Sequence, residues 1–242
     1  MKMVILKCKD YEECSKVASE IFIDAIKQNP NIVLGLATGS TPIGTYKNII
    51  KAYEEGQISF KNVRTYNLDE YVGISRENDQ SYYYFMHDNL FNHVDILEEN
   101  VHVPYAYEGK FEESAKAYTE ELKKANVDIQ LLGIGANGHI GFNEPGTSFD
   151  QETFIIELTE KTREDNKRFF ASIDDVPTHA ITMGIADILR SKKIVLIASG
   201  ENKAEAVKKL LSGEVTVDFP ASSLHNHMDV VVIVDEAACK LL

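Results

Sequence analysis

The densest run of reactive and turn-forming residues in this 242-residue chain is Gly133-Ile134-Gly135-Ala136-Asn137-Gly138-His139-Ile140-Gly141-Phe142-Asn143-Glu144-Pro145-Gly146. Its first six residues fit the GxGxxG spacing of a dinucleotide-binding turn, and Glu157 lies about where the ribose-binding acid of that motif falls. The fit fails beyond those six residues. The fingerprint needs a helix to start there, and Gly141, Pro145 and Gly146 forbid one. What remains is a glycine-rich loop with one imidazole and one carboxylate, His139 and Glu144, five residues apart. Buried together, such a pair can pass a proton to and from a sugar ring oxygen.

Three further segments carry chemistry. Thr38-Gly39-Ser40-Thr41-Pro42 stands between an apolar run and a helical pattern. Hydroxyls and a glycine at a helix N-terminus make an anion site, because free backbone N–H groups converge there and the helix dipole favours negative charge. Helix capping by Ser40 or Thr41 is the plainer alternative, and the spacing of a Walker loop is absent. Asp69-Glu70-Tyr71 comes directly after the run VRTYNL, so Asp69 is either a general base or a solvated acid. Lys203 falls in the first turn of a predicted helix, where a cation is disfavoured unless something anionic offsets it. Arg168 is a second candidate cation. His225 and His227 in HNH are two residues apart with no third ligand beside them, a weak metal signal that reads better as structural or substrate-edge. His87, His93, His102 and His179 have no supporting constellation.

These residues sit at the ends of predicted strands. Val4 to Leu6, Ile32 to Leu36, Val63 to Leu68, Asp128 to Leu132, Phe154 to Leu158, Lys193 to Ala198 and Val230 to Val234 read as strands. They alternate with predicted helices over 11–28 (Val17, Ile21 and Ala25 on one face), 42–55, 81–92, 111–125 and 160–170. KIVLIA and VVVIV are continuous apolar runs, as strands buried on both faces require. The alternation predicts a three-layer α/β/α fold with a mostly parallel, doubly wound, Rossmann-like sheet, in one domain over residues 1–242. In such sheets ligands bind just beyond the carboxyl ends of the strands, which is where the candidate residues lie, except Arg168, near the end of the predicted helix 160–170.

Composition narrows the partners. The chain is 44% hydrophobic and 26% charged, with a formal charge of −13. So acidic a chain is poorly suited to nucleic acid or an anionic membrane, both of which need a basic surface. An anionic substrate must then meet a local cluster of positive groups. Cys8, Cys14 and Cys239 are too few and too irregular for a disulfide framework or a zinc site. The N-terminal run MKMVILKCKD is too short for a signal peptide and no segment reaches membrane-spanning length, so a cytoplasmic location is expected.

Taken together, LATGSTPIGTY, NLDEYVGI with SYYYFM, GIGANGHIGFNEPG, TREDNKRFF and SGENKAEAV resemble the glucosamine-6-phosphate deaminase family, in the same order and over essentially the whole chain. GHIGFNEPG separates that family from the related 6-phosphogluconolactonases. The resemblance implies conversion of glucosamine 6-phosphate and water to fructose 6-phosphate and ammonia, with no metal or redox cofactor. It implies that Asp69 moves a proton between C1 and C2. It also implies that His139, set by Glu144 and residue 137, opens the ring, and that Thr38, Gly39, Ser40, Thr41, Arg168 and Lys203 hold the phosphate. Some members carry aspartate where this chain has Asn137. Asparagine holds an imidazolium by hydrogen bonding alone, so His139 is expected to be less basic here and ring opening to rest more on Glu144. The chain ends at Leu242 without the C-terminal extension of the allosterically activated hexamers, which implies a monomer or small homo-oligomer.

Two other readings differ in what they require. A lactonase on this fold would not need Asp69 as a carbon acid/base. A sugar-phosphate sensor would carry a DNA-binding segment and a basic face. This chain starts directly with its first strand and is strongly acidic.

Overall fold

The computed structural model describes residues 3–107, 109–158, 160, 163, 164, 167, 170 and 172–242. Seven parallel strands form its main sheet. They are β1 (Met3–Cys8), β2 (Val33–Leu36), β3 (Arg64–Asn67), β5 (Val101–His102), β6 (Ile129–Leu132), β9 (Lys193–Ala198) and β10 (Val230–Asp235). Their spatial order is β1-β10-β9-β6-β2-β3-β5. From β2 the chain winds outward to β3 and β5. From β6 it winds the other way, to β9 and β10. The order therefore reverses between β2 and β6, and that crevice is where an open α/β sheet binds its ligand.

Helices cover both faces. α1 (Tyr11–Gln28), α2 (Ile43–Glu54) and α3 (Tyr82–Asn89) lie on one side, and α4 (Phe111–Ala125), α5 (Ile185–Leu189) and α6 (Ala204–Leu211) on the other. The period-2 alternation of β9 divides its side chains between the layers. Val195 and Ile197 join Phe22, Ile26, Tyr46 and Ile49 in one core. Ile194 and Leu196 join Tyr118, Leu122, Val207 and Leu210 in the other. The buried stripe of α1 is Cys14, Ser15, Ala18, Ser19, Phe22 and Ile26. The sequence pattern points to Val17, Ile21 and Ala25, which instead flank that stripe, partly buried. Small residues, Ser and Ala, fill the close α1–α2 contact and conceal the true face.

A second, antiparallel sheet departs from the expected single sheet. It is ordered β4 (Asp69–Tyr71), β8 (His179–Thr182), β7 (Phe154–Glu157). The predicted strand Phe154 to Leu158 therefore does form, over Phe154–Glu157, but beside the main sheet, which suits its partly exposed side chains. β4 leaves β3 after a single residue, Leu68, whose N–H bonds Leu36 O at 3.1 Å and whose O accepts Met183 N at 2.7 Å. That switch puts Asp69 at the start of a new strand, opposite Thr182. The helix expected over 160–170 falls largely outside the described residues. No helix among the described residues is long and apolar enough to cross a membrane.

Candidate active site

Four adjacent strands, β3-β2-β6-β9, deliver most of the candidate residues to one recess of about 370 Å³, though Asn137 and Glu144 do not line it. Thr38, Gly39, Ser40 and Thr41 come after β2, Asp69 after β3, the loop from Gly133 to Phe142 after β6, and Lys203 after β9. A larger recess, of about 470 Å³, includes Arg76, Tyr105, Tyr107 and Lys110 but none of these residues. These candidate residues therefore share the smaller one, at the switch point. Arg168, the remaining candidate cation, lies outside the described residues.

The loop after β2 carries the donors. Gly39 turns it with φ +89°, a left-handed conformation that suits glycine. The N–H groups of Gly39, Ser40 and Thr41, and the hydroxyls of Thr38, Ser40 and Thr41, have no hydrogen-bond partner among the described residues. Ser40 and Thr41 do not cap α2: its N-cap is Pro42, with no side-chain cap bond. Lys203 lines the same recess, ends a short 3-10 turn just before α6, and pairs with no carboxylate among the described residues. Desolvation holds its pKa below the usual lysine value. Its turn is fixed from below by Asp235 at the end of β10, which accepts Gly200 N at 3.0 Å and Ser199 Oγ. Free amides, free hydroxyls and an unpaired ammonium lining one recess at a helix start suit a doubly charged anion.

Asp69 is 8% exposed. Burial first, and then the neighbouring charge of Glu70, raises its carboxyl pKa to about 8. Glu70 is buried too. It accepts the N–H groups of Tyr71 (2.8 Å), Tyr82 (3.0 Å) and Tyr83 (2.8 Å), tying β4 to the first turn of α3. That tie brings the Tyr82 ring to the recess, stacked 6.4 Å from Phe142. Asp69 Oδ2 faces the bare Cα of Gly141, where an added Cβ would lie 3.6 Å away.

The glycines of 133–146 have steric reasons that differ from those of a dinucleotide turn. A Cβ on Gly135 would lie 2.2 Å from the His139 ring, so the imidazole lies flat on that glycine. A Cβ on Gly138 would meet Phe219 at 2.2 Å, and its φ is +86°. Gly135 N bonds His139 O and Gly138 N bonds Gly135 O, closing a turn that presents the ring. Asn143 anchors the far side, donating from Nδ2 to Ile140 O (2.8 Å) and Met183 O (2.9 Å).

His139, Asn137 and Glu144 make one network. Asn137 Nδ2 donates to Glu144 Oε2 at 2.7 Å, which fixes the amide, since a carboxylate only accepts. Asn137 Oδ1 then faces His139 Nδ1 at 2.7 Å, so Nδ1 carries the proton and Nε2 is left as the acceptor. Glu144 Oε1 lies 3.5 Å from the same Nδ1. Burial lowers the His139 pKa below the usual imidazole value. The Glu144 charge opposes that shift and the Lys203 charge adds to it. The recess thus pairs a carboxyl titrating near neutrality with an imidazole that stays neutral, both beside an anion cradle. That arrangement suits stepwise proton transfer on an anionic small molecule.

The HNH histidines are structural. His225 Nε2 meets Leu210 O at 2.7 Å and His227 Nε2 meets Ser191 O at 2.6 Å. Sequence reasoning missed Tyr82, Glu70 and Asp235. Glu70 is hidden beside a stronger candidate, and Asp235 ends an apolar strand with no motif around it.

The family described as glucosamine-6-phosphate isomerases/6-phosphogluconolactonase matches residues 11–233. A glucosamine-6-phosphate deaminase of Thermoanaerobacter sp. (strain X514) is 53% identical over all of this chain and 95% of its own length. One from Clostridium perfringens (strain 13 / Type A) is 53% identical over 99% of this chain and 100% of its own. A solved structure of a monomeric glucosamine-6-phosphate deaminase superposes with a TM-score of 0.95 at 48% identity, covering 99% of this chain and 100% of that one. The 6-phosphogluconolactonase of Trypanosoma brucei shares the fold, with a TM-score of 0.79 at 20% identity.

Proposed function

The chain belongs to the glucosamine-6-phosphate isomerase/6-phosphogluconolactonase family, and from that premise we propose that it is a glucosamine-6-phosphate deaminase, converting D-glucosamine 6-phosphate and water to D-fructose 6-phosphate and ammonia. The observation that carries the reading is the opposition, across one recess, of an anion cradle to a buried acid/base carboxyl and a neutral imidazole.

The phosphate docks on the amides and hydroxyls of 38–41 and on Lys203, and its binding energy fixes the reacting carbons. Arg168 adds to this cradle by resemblance alone. His139 Nε2 takes the proton of the anomeric hydroxyl and returns one to the ring oxygen, opening the pyranose. Asn137 and Glu144 hold Nδ1–H and stabilise the cation that forms in passing. Asp69 then removes the C2 proton while O1 gains a proton given up by the substrate's own 2-ammonium group, giving an enolamine, and Asp69 delivers its proton to C1. The product is a ketimine. Water adds to its C2, and ammonia leaves with the proton balance restored by the same acid/base groups. A carboxyl with a pKa of about 8 suits both directions of the transfer, since neither protonation state is strongly disfavoured near neutral pH.

On this reading the 242 residues act as one catalytic unit, as a monomer, in the cytoplasm. Light scattering behind a sizing column tests the first two points: a mass near 27.2 kDa is expected. The activity is tested by supplying glucosamine 6-phosphate and 6-phosphogluconolactone in separate assays. Ammonia from the first and no accelerated hydrolysis of the second is the expected pair of results. The reverse pair would assign the chain to the lactonase side of the family.

A further inference from the structure

The loop that carries the anion donors is clamped from behind by Tyr11, the first residue of α1. Its hydroxyl lies 2.9 Å from Ser40 O and 3.1 Å from Thr41 O, and it accepts the N–H of Gly44, in the first turn of α2, at 2.9 Å. One side chain thus joins three elements: α1, the 38–41 loop and α2. A glycine makes this close approach possible. A Cβ on Gly44 would lie 3.2 Å from the Tyr11 ring and 2.3 Å from Ser15 Oγ, so only glycine leaves room for the ring and its hydroxyl.

We propose that Tyr11 is a positioning residue for phosphate binding, acting through the loop from Gly39 to Thr41; the proposal rests on the deaminase reading of the recess. Tyr11 does not line the recess itself. Its leverage comes from peptide geometry. In a planar trans peptide the C=O and the next residue's N–H point in opposite directions. Holding Ser40 O on the Tyr11 side therefore turns the Thr41 N–H away from Tyr11. That amide has no partner among the described residues and belongs to a residue that lines the recess. The loop has few other restraints. Gly39 is in the left-handed region and adds freedom, and α2 has no side-chain cap. Tyr11 also takes up the Gly44 N–H, a first-turn donor that would otherwise be free. Phosphate is thereby left to the amides and hydroxyls that face it. The clamp is made before substrate arrives, so its contribution is pre-organisation.

The test is Tyr11→Phe, which keeps the ring against Gly44 and removes only the hydroxyl. Asp10→Ala serves as the comparison. Asp10 caps α1 by accepting Glu13 N at 3.0 Å and touches neither the loop nor the recess, so its loss loosens the helix alone. Titration calorimetry with inorganic phosphate reads the cradle without turnover, and steady-state kinetics with glucosamine 6-phosphate splits KM from kcat. For Tyr11→Phe, phosphate affinity should fall about three- to tenfold and KM should rise in parallel, with kcat within about twofold of the wild type. For Asp10→Ala the melting temperature should drop while phosphate affinity stays unchanged. Equal phosphate affinity in Tyr11→Phe and wild type overturns the role of Tyr11, as does an equal loss in Asp10→Ala. Absence of phosphate binding by the wild type overturns the cradle itself, and with it the deaminase reading.

Discussion

Asn137 Oδ1 lies 2.7 Å from His139 Nδ1 while the amide's other arm donates to Glu144, so a neutral side chain sets the tautomer of the imidazole. An aspartate there would place a negative charge beside Nδ1 and favour the imidazolium. On the acid side, kcat/KM should show two ionisations, the upper from Asp69 and the lower from His139. Burial keeps the latter below the usual imidazole value. Asn137→Asp should move the lower ionisation upward by about one pH unit and leave the upper one in place. An unmoved profile would mean that residue 137 does not govern the base.

Burial and, after it, Glu70 raise the upper ionisation. The Glu70 charge adds to burial in lifting Asp69 to about 8. Glu70→Gln removes that charge and keeps one acceptor oxygen, enough for the Tyr71 and Tyr82 amides on one side but not also for Tyr83 on the other. With no like charge nearby, the Asp69 anion costs less to form, so the upper midpoint should move to lower pH. Glu70→Ala removes the acceptor as well. Buried amides left unpaired should lower stability by about 2 kcal/mol or more, visible as a lower denaturant midpoint at unchanged slope.

Gly135 supports the imidazole by having no side chain. A methyl placed 2.2 Å from the His139 ring must push it aside. Gly135 is absent from the left-handed glycines, so alanine brings no backbone penalty there. Gly135→Ala should therefore fold normally and lose about a hundredfold in kcat, as expected when a catalytic group is displaced by about an ångström. A stopped-flow assay supplied with open-chain sugar should recover part of that loss. Loss of the folded state instead would contradict this role of the glycine.

Lys203 has two effects that one variant separates. Its ammonium is unpaired in the recess, so Lys203→Ala should raise KM for the phosphorylated substrate by about 10- to 100-fold, the worth of a hydrogen bond to a charged group. The same charge also lowers the His139 pKa. Removing it should move the lower ionisation of kcat/KM upward, in the same direction as Asn137→Asp. A change in KM with no shift of that ionisation would place Lys203 too far from the ring.

Much of the fold is legible in the sequence because a parallel sheet writes long apolar runs. Helices 11–28 and 111–125 and the strand Lys193–Ala198 match their predicted bounds, and the catalytic candidates lie where strands end. The features that escape a sequence reading are short or locally ambiguous. β5 has two residues and α5 has five, too few for a period to show. β4 begins one residue after β3, so a single predicted strand over Val63–Leu68 stands for a strand and a switch between sheets. The GxGxxG match is misleading as a motif, and the purpose of its glycines, a seat for the His139 ring and a contact with Phe219, depends on close approaches that no spacing encodes. Tyr11 and Glu70 act through backbone groups of distant segments, and such partners cannot be read along the chain.

On the proposed mechanism, Asp69 carries a proton between two carbons of an amino-sugar phosphate so that ammonia can leave. The most direct measurement is ammonia and fructose 6-phosphate released from glucosamine 6-phosphate by the wild type and by Asp69→Asn. Equal amounts of the two products from the wild type, and a rate at least about a thousandfold lower from a folded Asp69→Asn protein, are the predicted results. Ammonia release by Asp69→Asn at the wild-type rate, or none from the wild type, would contradict that role.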